Sequence, residues 1–180
     1  MFIYKIDDET ELRLYEERDA EQMYALFAES RGRHAELDKN FSLEDVKGKI
    51  RLDLDLFAKH KGLGTGIWYC GKLAGGIRYH EIDLVNRTTE LGYWLGEKFE
   101  GKGLVIKACR ALIDHAFGPL GLNRIVISCA VENKKSRAVP EKLGFKEEGV
   151  ARQSEWQHES FVDMVIYAML ADEWRNKYIS

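Results

Sequence analysis

Between Gly103 and Phe117 the chain carries an apolar stripe too broad for a helix that meets water on its flanks. Val105, Ala108, Cys109, Leu112 and Ala116 recur at helical spacing, and Ile106, Ile113 and Phe117 widen the band. A face of that width needs a flat partner, so this helix must lie on a sheet. Candidate strands stand on both sides of it. "GIWYC" turns at Cys70-Gly71-Lys72 into "LAGGIRYHEI", and another strand begins near Thr88 in "RTTELGYWL". "GPLGLN" stops the helix, because Gly and Pro both discourage continuation. "RIVISCAV" then runs apolar almost without a break, as expected of a strand covered on both faces.

The remaining elements follow from the same periods. "ELRLY" (Glu11 to Tyr15) alternates as a short strand, and a helix starting at Asp19 places Ala20, Met23, Leu26 and Phe27 on one side. Ser30 to Phe41 is polar and loop-like. "SLED" (Ser42 to Asp45) resembles a capping box, with a helix running on to about His60. Asn133 can cap a short helix that reaches Leu143, where Gly144 stops it. "FKEEGVARQSEW" and "FVDMVIYAML" read as a closing antiparallel pair. The expected order is strand, two helices, three strands, helix, strand, helix, two strands: a mixed α/β domain around one sheet. With 180 residues, 45% of them hydrophobic, and only two prolines, residues 1–180 are expected to form one domain with one core.

Several function classes are disfavoured. A net charge of -3 argues against a partner as anionic as the nucleic-acid backbone. Cys70, Cys109 and Cys129 are odd in number and lack CxxC spacing, which reads as reduced thiols in a cytoplasmic protein with no zinc site. The opening "MFIYKIDDETELRLYEE" lacks the apolar core of a signal peptide. No apolar run approaches the ~18 residues of a membrane span. A homo-oligomer stays open.

The turn before the wide helix carries the first chemical signal. Backbone amides at a helix start are free and electropositive. Gly101 and Gly103 remove side chains from the approach, and Lys98 and Lys102 add charge, which together suit a pyrophosphate. The competing reading is a plain glycine turn with solvated lysines. GxxxxGK[ST] and GxGxxG are both absent. The second signal is "VENKKSRAVPEKLGF", which puts Asn133 and Ser136 on one helix face beside that turn. Capping alone would also explain Asn133. Pro140 has no N–H, so the Ser136 carbonyl loses its helical donor, which either loosens that turn or merely shortens the helix.

In order and spacing, "LGYWL" (Leu91 to Leu95), "KFEGKG" (Lys98 to Gly103), "NxxS" (Asn133 to Ser136) and "EKLGFKEEG" (Glu141 to Gly149) resemble the GCN5-related N-acetyltransferases. The branch they resemble acetylates the N-termini of ribosomal proteins. The resemblance implies a mainly antiparallel central sheet flanked by helices, with acetyl-coenzyme A as cosubstrate. It implies direct transfer to an amine without an acetyl-enzyme intermediate. The pyrophosphate is then expected on Lys98, Gly101, Lys102, Gly103 and Leu104, and the pantetheine arm beside Leu95 and Asn133. The family commonly has Arg or Gln where Lys98 stands. Lysine keeps the charge without the fork of donors, so the loop should act mainly through backbone amides.

By the same resemblance Ser136 donates to the departing thiolate. A thiol pKa near 8.5 makes that leaving group undemanding, so a hydrogen bond is expected rather than full proton transfer. Two glutamates compete as general base: Glu155 in "RQSEWQHE", acting through a water, and Glu90 at the start of the "ELGYWL" strand. A water chain without a single base is the third reading. An N-terminal amine, with pKa about 8 against about 10.4 for lysine, asks least of such a base. The resemblance implies a protein N-terminus, such as that of a serine-initiated ribosomal protein, as the acceptor, and this low pKa is consistent with it. A small amine such as a polyamine, amino sugar or antibiotic is the alternative, and a coenzyme A-binding module without catalysis is the rival of a different class. Ser30 to Phe41, with its basic "RGRH", and Glu155 to Phe161 should face the acceptor. His80 and His158 lie near strand ends. His34, His60 and His115 read as surface or loop positions, and Tyr93 and Trp94 as core or cleft wall.

Overall fold

In the computed structural model, which describes residues 3–29, 41–157 and 159–178, the wide stripe meets its sheet. The strands are β1 (Ile3–Lys5), β2 (Thr10–Leu14), β3 (Leu63–Tyr69), β4 (Lys72–Asp83), β5 (Thr88–Leu95), β6 (Arg124–Ala130), β7 (Lys146–Gln157) and β8 (Ser160–Leu170). The helices are α1 (Ala20–Glu29), α2 (Leu43–Ala58), α3 (Leu104–Phe117), α4 (Lys134–Leu143) and α5 (Ala171–Tyr178). The architecture is mixed α/β, mainly antiparallel, as expected. β1 and α5 were not foreseen. Three residues are too few to show an alternation, and α5 follows the last strand without a break, held by the Trp174 indole donating to Asp114 of α3 at 2.6 Å.

α3 buries Leu104, Ala108, Cys109, Ala111, Leu112, Ile113, Ala116 and Phe117. Fully burying one large aliphatic chain stabilises by roughly 1.5–3 kcal/mol, so this face, more than helix propensity, holds α3 in place. Val105 and Ile106 are only half-buried, packed against the edge of the core that Leu104 enters. α2 starts with the expected box: Ser42 N–H donates to Asp45 at 2.8 Å and Asp45 N–H to the Ser42 hydroxyl at 3.3 Å.

The sheet order is β1-β2-β3-β4-β5-β6-β8-β7, and every neighbouring pair is antiparallel except β5 and β6. A parallel pair needs a crossover, and α3 is that crossover. The pair is short: Thr88 faces Arg124, Thr89 faces Ile125 and Glu90 faces Val126. Past that point β5 stays on β4 as far as Leu95, and β6 stays on β8 as far as Ala130, but β5 and β6 part. The sheet is a fork whose apex is Glu90 and Val126.

Strand alternation assigns the two faces. Tyr79 donates to the Leu112 carbonyl at 2.5 Å and so lies under α3, while Arg78 points the other way to Asp53 of α2 at 3.0 Å. β6 departs from its expectation. Ile125, Ile127 and Cys129 are buried, but the residues between them are half-buried. Ser128 and Ala130 border a cavity, so double coverage stops at the fork.

Candidate active site

The fork leaves the β5 edge from Leu91 to Leu95 without a strand partner on the β6 side. Leu95 ends this edge, across from Gly75 on β4. Edge amides and carbonyls of this kind can receive the amide arm of an extended ligand as a strand would.

Beyond the edge lies the helix start that the sequence singled out. Gly103 caps α3 in a left-handed conformation, φ 72°, without any side-chain capping bond, and Gly101 has φ 76°. A Cβ at either glycine would meet nothing within 4 Å, so the approach is open. The first intrahelical bond runs from Lys107 N–H to the Gly103 carbonyl at 3.1 Å, leaving the amides of Leu104, Val105 and Ile106 to an anion. The lysines are engaged elsewhere. Lys98 pairs with Glu29 of α1 at 3.1 Å, and Lys102 stands 5.6 Å from the Tyr69 ring centroid. What this loop presents is mostly backbone.

The other helix start is built differently. Asn133 caps α4 by accepting from Ser136 N–H at 3.0 Å. Tyr93, from β5, donates to the Ser136 carbonyl at 2.8 Å. The Ser136 hydroxyl lies 3.2 Å from the Cys129 sulfur and 3.5 Å from the Tyr93 hydroxyl. Burial pushes the Tyr93 phenol far above its usual range, and burial also raises the Cys129 thiol. Both therefore keep their protons at neutral pH. Among the described residues the Ser136 hydroxyl contacts two neutral groups, which suits a hydrogen-bond donor rather than an activated nucleophile.

A cavity of about 420 Å³ opens at the fork beside the α4 start. Ser136, Asn133, Tyr93 and Cys129 border it from the α3–α4 side of the sheet, and Glu90, His80, Arg78 and Asp53 from the α1–α2 side. Glu155 enters from β7, where a register shift between Ala151 and Glu155 turns the strand. Gln157 holds its carboxylate at 2.8 Å. A continuous sheet would separate these groups; the missing ladder between β5 and β6 lets one space reach both. Thus the structure brings together Ser136, Asn133, Glu90 and Glu155. Leu95, Lys98, Gly101, Lys102, Gly103 and Leu104 lie outside the cavity, along the same fork edge and the loop that follows it.

Sequence reasoning missed the Arg78–Asp53 pair, the Cys129 contact and the Tyr93 bond. A signal for the first was present in the strand glycines. A Cβ at Gly64 would collide with the Asp53 carboxylate, and one at Gly92 with the His80 ring. Gly64, Arg78 and Gly92 lie in one cross-strand row, so the glycines let polar side chains lie flat on the floor. Of the histidines, His115 corrects its surface reading: it sits in α3, half-buried, its Nδ1 3.3 Å from the Tyr79 hydroxyl, and burial lowers its pKa. His60 is exposed at the end of α2. His34 and His158, and the "RGRH" segment, fall outside the described residues. Tyr93 and Trp94 do wall the cleft. Among the described residues no helix is long and apolar enough to cross a membrane.

Residues 10–146 match the acetyltransferase (GNAT) domain family. The chain belongs to the GNAT acetyltransferases. It is 39% identical, over 98% of its length and 100% of the relative's, to the Bacillus subtilis (strain 168) protein named "Putative ribosomal N-acetyltransferase YdaF". Among solved structures it resembles the ribosomal-protein alpha-N acetyltransferase RimL in complex with coenzyme A. That match has a TM-score of 0.89 and 26% identity over 96% of this chain and 99% of that one. A microcin self-immunity acetyltransferase, MccE, in complex with acetyl-CoA and AMP, matches with a TM-score of 0.86 and 33% identity over 92% and 94%. This GNAT protein is an N-acetyltransferase, and the rival reading of a module without catalysis is set aside.

Proposed function

We propose that this GNAT enzyme transfers the acetyl group of acetyl-CoA to the N-terminal α-amine of a protein, a ribosomal protein being the first acceptor to try. The observation that carries the reading is the meeting of Ser136 with Glu90 and Glu155 in one cavity at the open fork. Full-length likeness to a protein named a ribosomal N-acetyltransferase supports the acceptor class.

The fold fits the cosubstrate. The unpaired β5 edge near Leu95 would hold its amide arm, and the bare amides after Gly101 and Gly103 its pyrophosphate. Acetyl-CoA supplies the acetyl group as a thioester. Asn133, whose carboxamide oxygen is taken by capping, has its amide nitrogen left to bind with. Ser136 donates a hydrogen bond to the sulfur. A carboxylate on the acceptor side takes the proton of the ammonium group so that a neutral amine attacks. Glu155 is the first choice, through a water, and Glu90 the second.

A small amine is the second reading, favoured by the likeness to MccE, whose complex contains AMP. The test is mass spectrometry of products from acetyl-CoA with ribosomal proteins, Ser-initiated peptides and a panel of polyamines, amino sugars and aminoacyl nucleotides. One acetyl group on a peptide α-amine is the expected product. Acetylation of small amines alone would overturn the acceptor and keep the chemistry.

A further inference from the structure

Both backbone hydrogen-bonding groups of Ser136 are held by side chains. Its N–H goes to the Asn133 side chain, 3.0 Å away. Its C=O should accept from residue 140 in a regular helix, but residue 140 is proline, inside α4 and buried. A half-buried carbonyl without a donor costs free energy. Tyr93 supplies the donor at 2.8 Å.

The two residues belong to opposite sides of the fork. Tyr93 stands on β5 beyond Glu90, where the ladder to β6 has ended. Ser136 stands on α4, next to Cys129 of β6. This side-chain bond, with the Tyr93 hydroxyl also 3.5 Å from the Ser136 hydroxyl and 3.9 Å from the Cys129 sulfur, spans a gap that no strand pairing bridges. Simple packing would place the Tyr93 ring in the wall without aiming its hydroxyl at the one carbonyl that proline leaves free.

We propose that Tyr93 is a positioning residue: with Pro140 having cleared the carbonyl, its hydroxyl fixes the first turn of α4 so that the Ser136 hydroxyl is aimed into the cleft. The inference rests on the reading of Ser136 as the donor to sulfur. It gives Pro140 a purpose as well. The proline keeps the backbone from satisfying the carbonyl itself, and so hands the orientation of Ser136 to a residue on the other prong. When the Cys129 S–H donates to this hydroxyl, 3.2 Å away, the Ser136 proton is left to the long 3.5 Å contact with the Tyr93 hydroxyl, which a ligand in the cleft can replace.

The test is a cycle of Tyr93→Phe, Pro140→Ala and their double variant, with Ser136→Ala beside it, read as kcat and KM for acetyl-CoA. Tyr93→Phe keeps the ring and is expected to lower kcat roughly 5- to 20-fold, with KM moving less than about twofold. Pro140→Ala alone should stay near the parent, since alanine returns an N–H to the Ser136 carbonyl. In that background Tyr93→Phe should cost no more than about twofold, because the main chain now supplies the bond. Amide hydrogen exchange over α4 is the second readout, faster in Tyr93→Phe and slowed again in the double variant. If the losses multiply as for independent sites, or α4 exchange does not respond to Tyr93→Phe, the positioning role is overturned while the donor reading stands. If Ser136→Ala keeps full kcat, the donor reading falls and takes this role with it.

Discussion

The two strand-to-helix turns that follow the prongs of the fork, one into α3 and one into α4, are opposite solutions to the same local problem. Each begins a helix with amides that have no partner within the helix. At α3 the cap is Gly103, left-handed and without a side chain, and the amides stay bare. At α4 the cap is Asn133, whose side chain takes the Ser136 amide, while Tyr93 takes the Ser136 carbonyl. A helix start left unsatisfied is a binding device, since an anion completes it. One whose backbone groups are tied to side chains is a frame, since it holds the groups it presents in a fixed direction. The first should therefore appear in affinity and the second in turnover.

The largest effect is expected in the chemistry that the framed helix faces. Glu155→Gln should lower kcat by about 100-fold or more, as loss of a general base does, and Glu90→Gln by only a few-fold. The reverse order in steady-state rates would assign the base to Glu90. The comparison itself is tested by a crossed pair. Ser136→Ala should lower kcat roughly 10- to 100-fold with little change in KM for acetyl-CoA. Gly103→Asp, which tolerates a left-handed backbone but sets a carboxylate among the bare amides, should raise that KM at least about tenfold and leave kcat within about twofold. Should both variants move the same constant, the division between the helix starts is broken.

A smaller effect sharpens the account of α4. Asn133→Ala removes its capping bond and should cost about 1 kcal/mol, read as a fall of roughly 2–4 °C in Tm. An unchanged Tm would mean that the turn is held by Tyr93 alone. The smallest effect concerns how the bare helix is tied down. Lys107, one turn into α3, bonds Asp7 at 2.7 Å, and this hydrogen bond lowers the Asp7 pKa from 3.8 to about 2. A carboxyl depressed on folding stabilises the fold above its unfolded value. That contribution is present above about pH 4 and fades as pH falls from there toward 2. Acid unfolding of Asp7→Asn, followed by circular dichroism, should show a slightly shallower loss of stability in that window than the parent. The pair is exposed, so the difference is small.

Much of this was legible in the chain because it is local. The α3 stripe, the Ser42–Asp45 box, the Asn133 cap and the Gly144 stop are written within a few residues of where they act, and each appears as read but for Val105 and Ile106 of the stripe, which are half-buried. The turn at Gly101 and Gly103 was legible for the same reason. The freed carbonyl of Ser136 could be deduced from Pro140, but its destination could not. β6 was misread as doubly covered because an apolar run does not say where a neighbouring strand departs.

By itself, then, the sequence determined helices α1 to α4, the caps of α2 and α4, the bare turn and the demand for a sheet, since propensity, capping and periodicity act over one or two turns of chain. Only the tertiary structure decided that β5 and β6 part after Glu90 and Val126, and everything in the site depends on that parting. Through the gap, Tyr93 reaches a carbonyl on α4, and carboxylates from one face share a cavity with a serine from the other. Register and its ending are set by packing between residues far apart in the chain, where no local period carries the information.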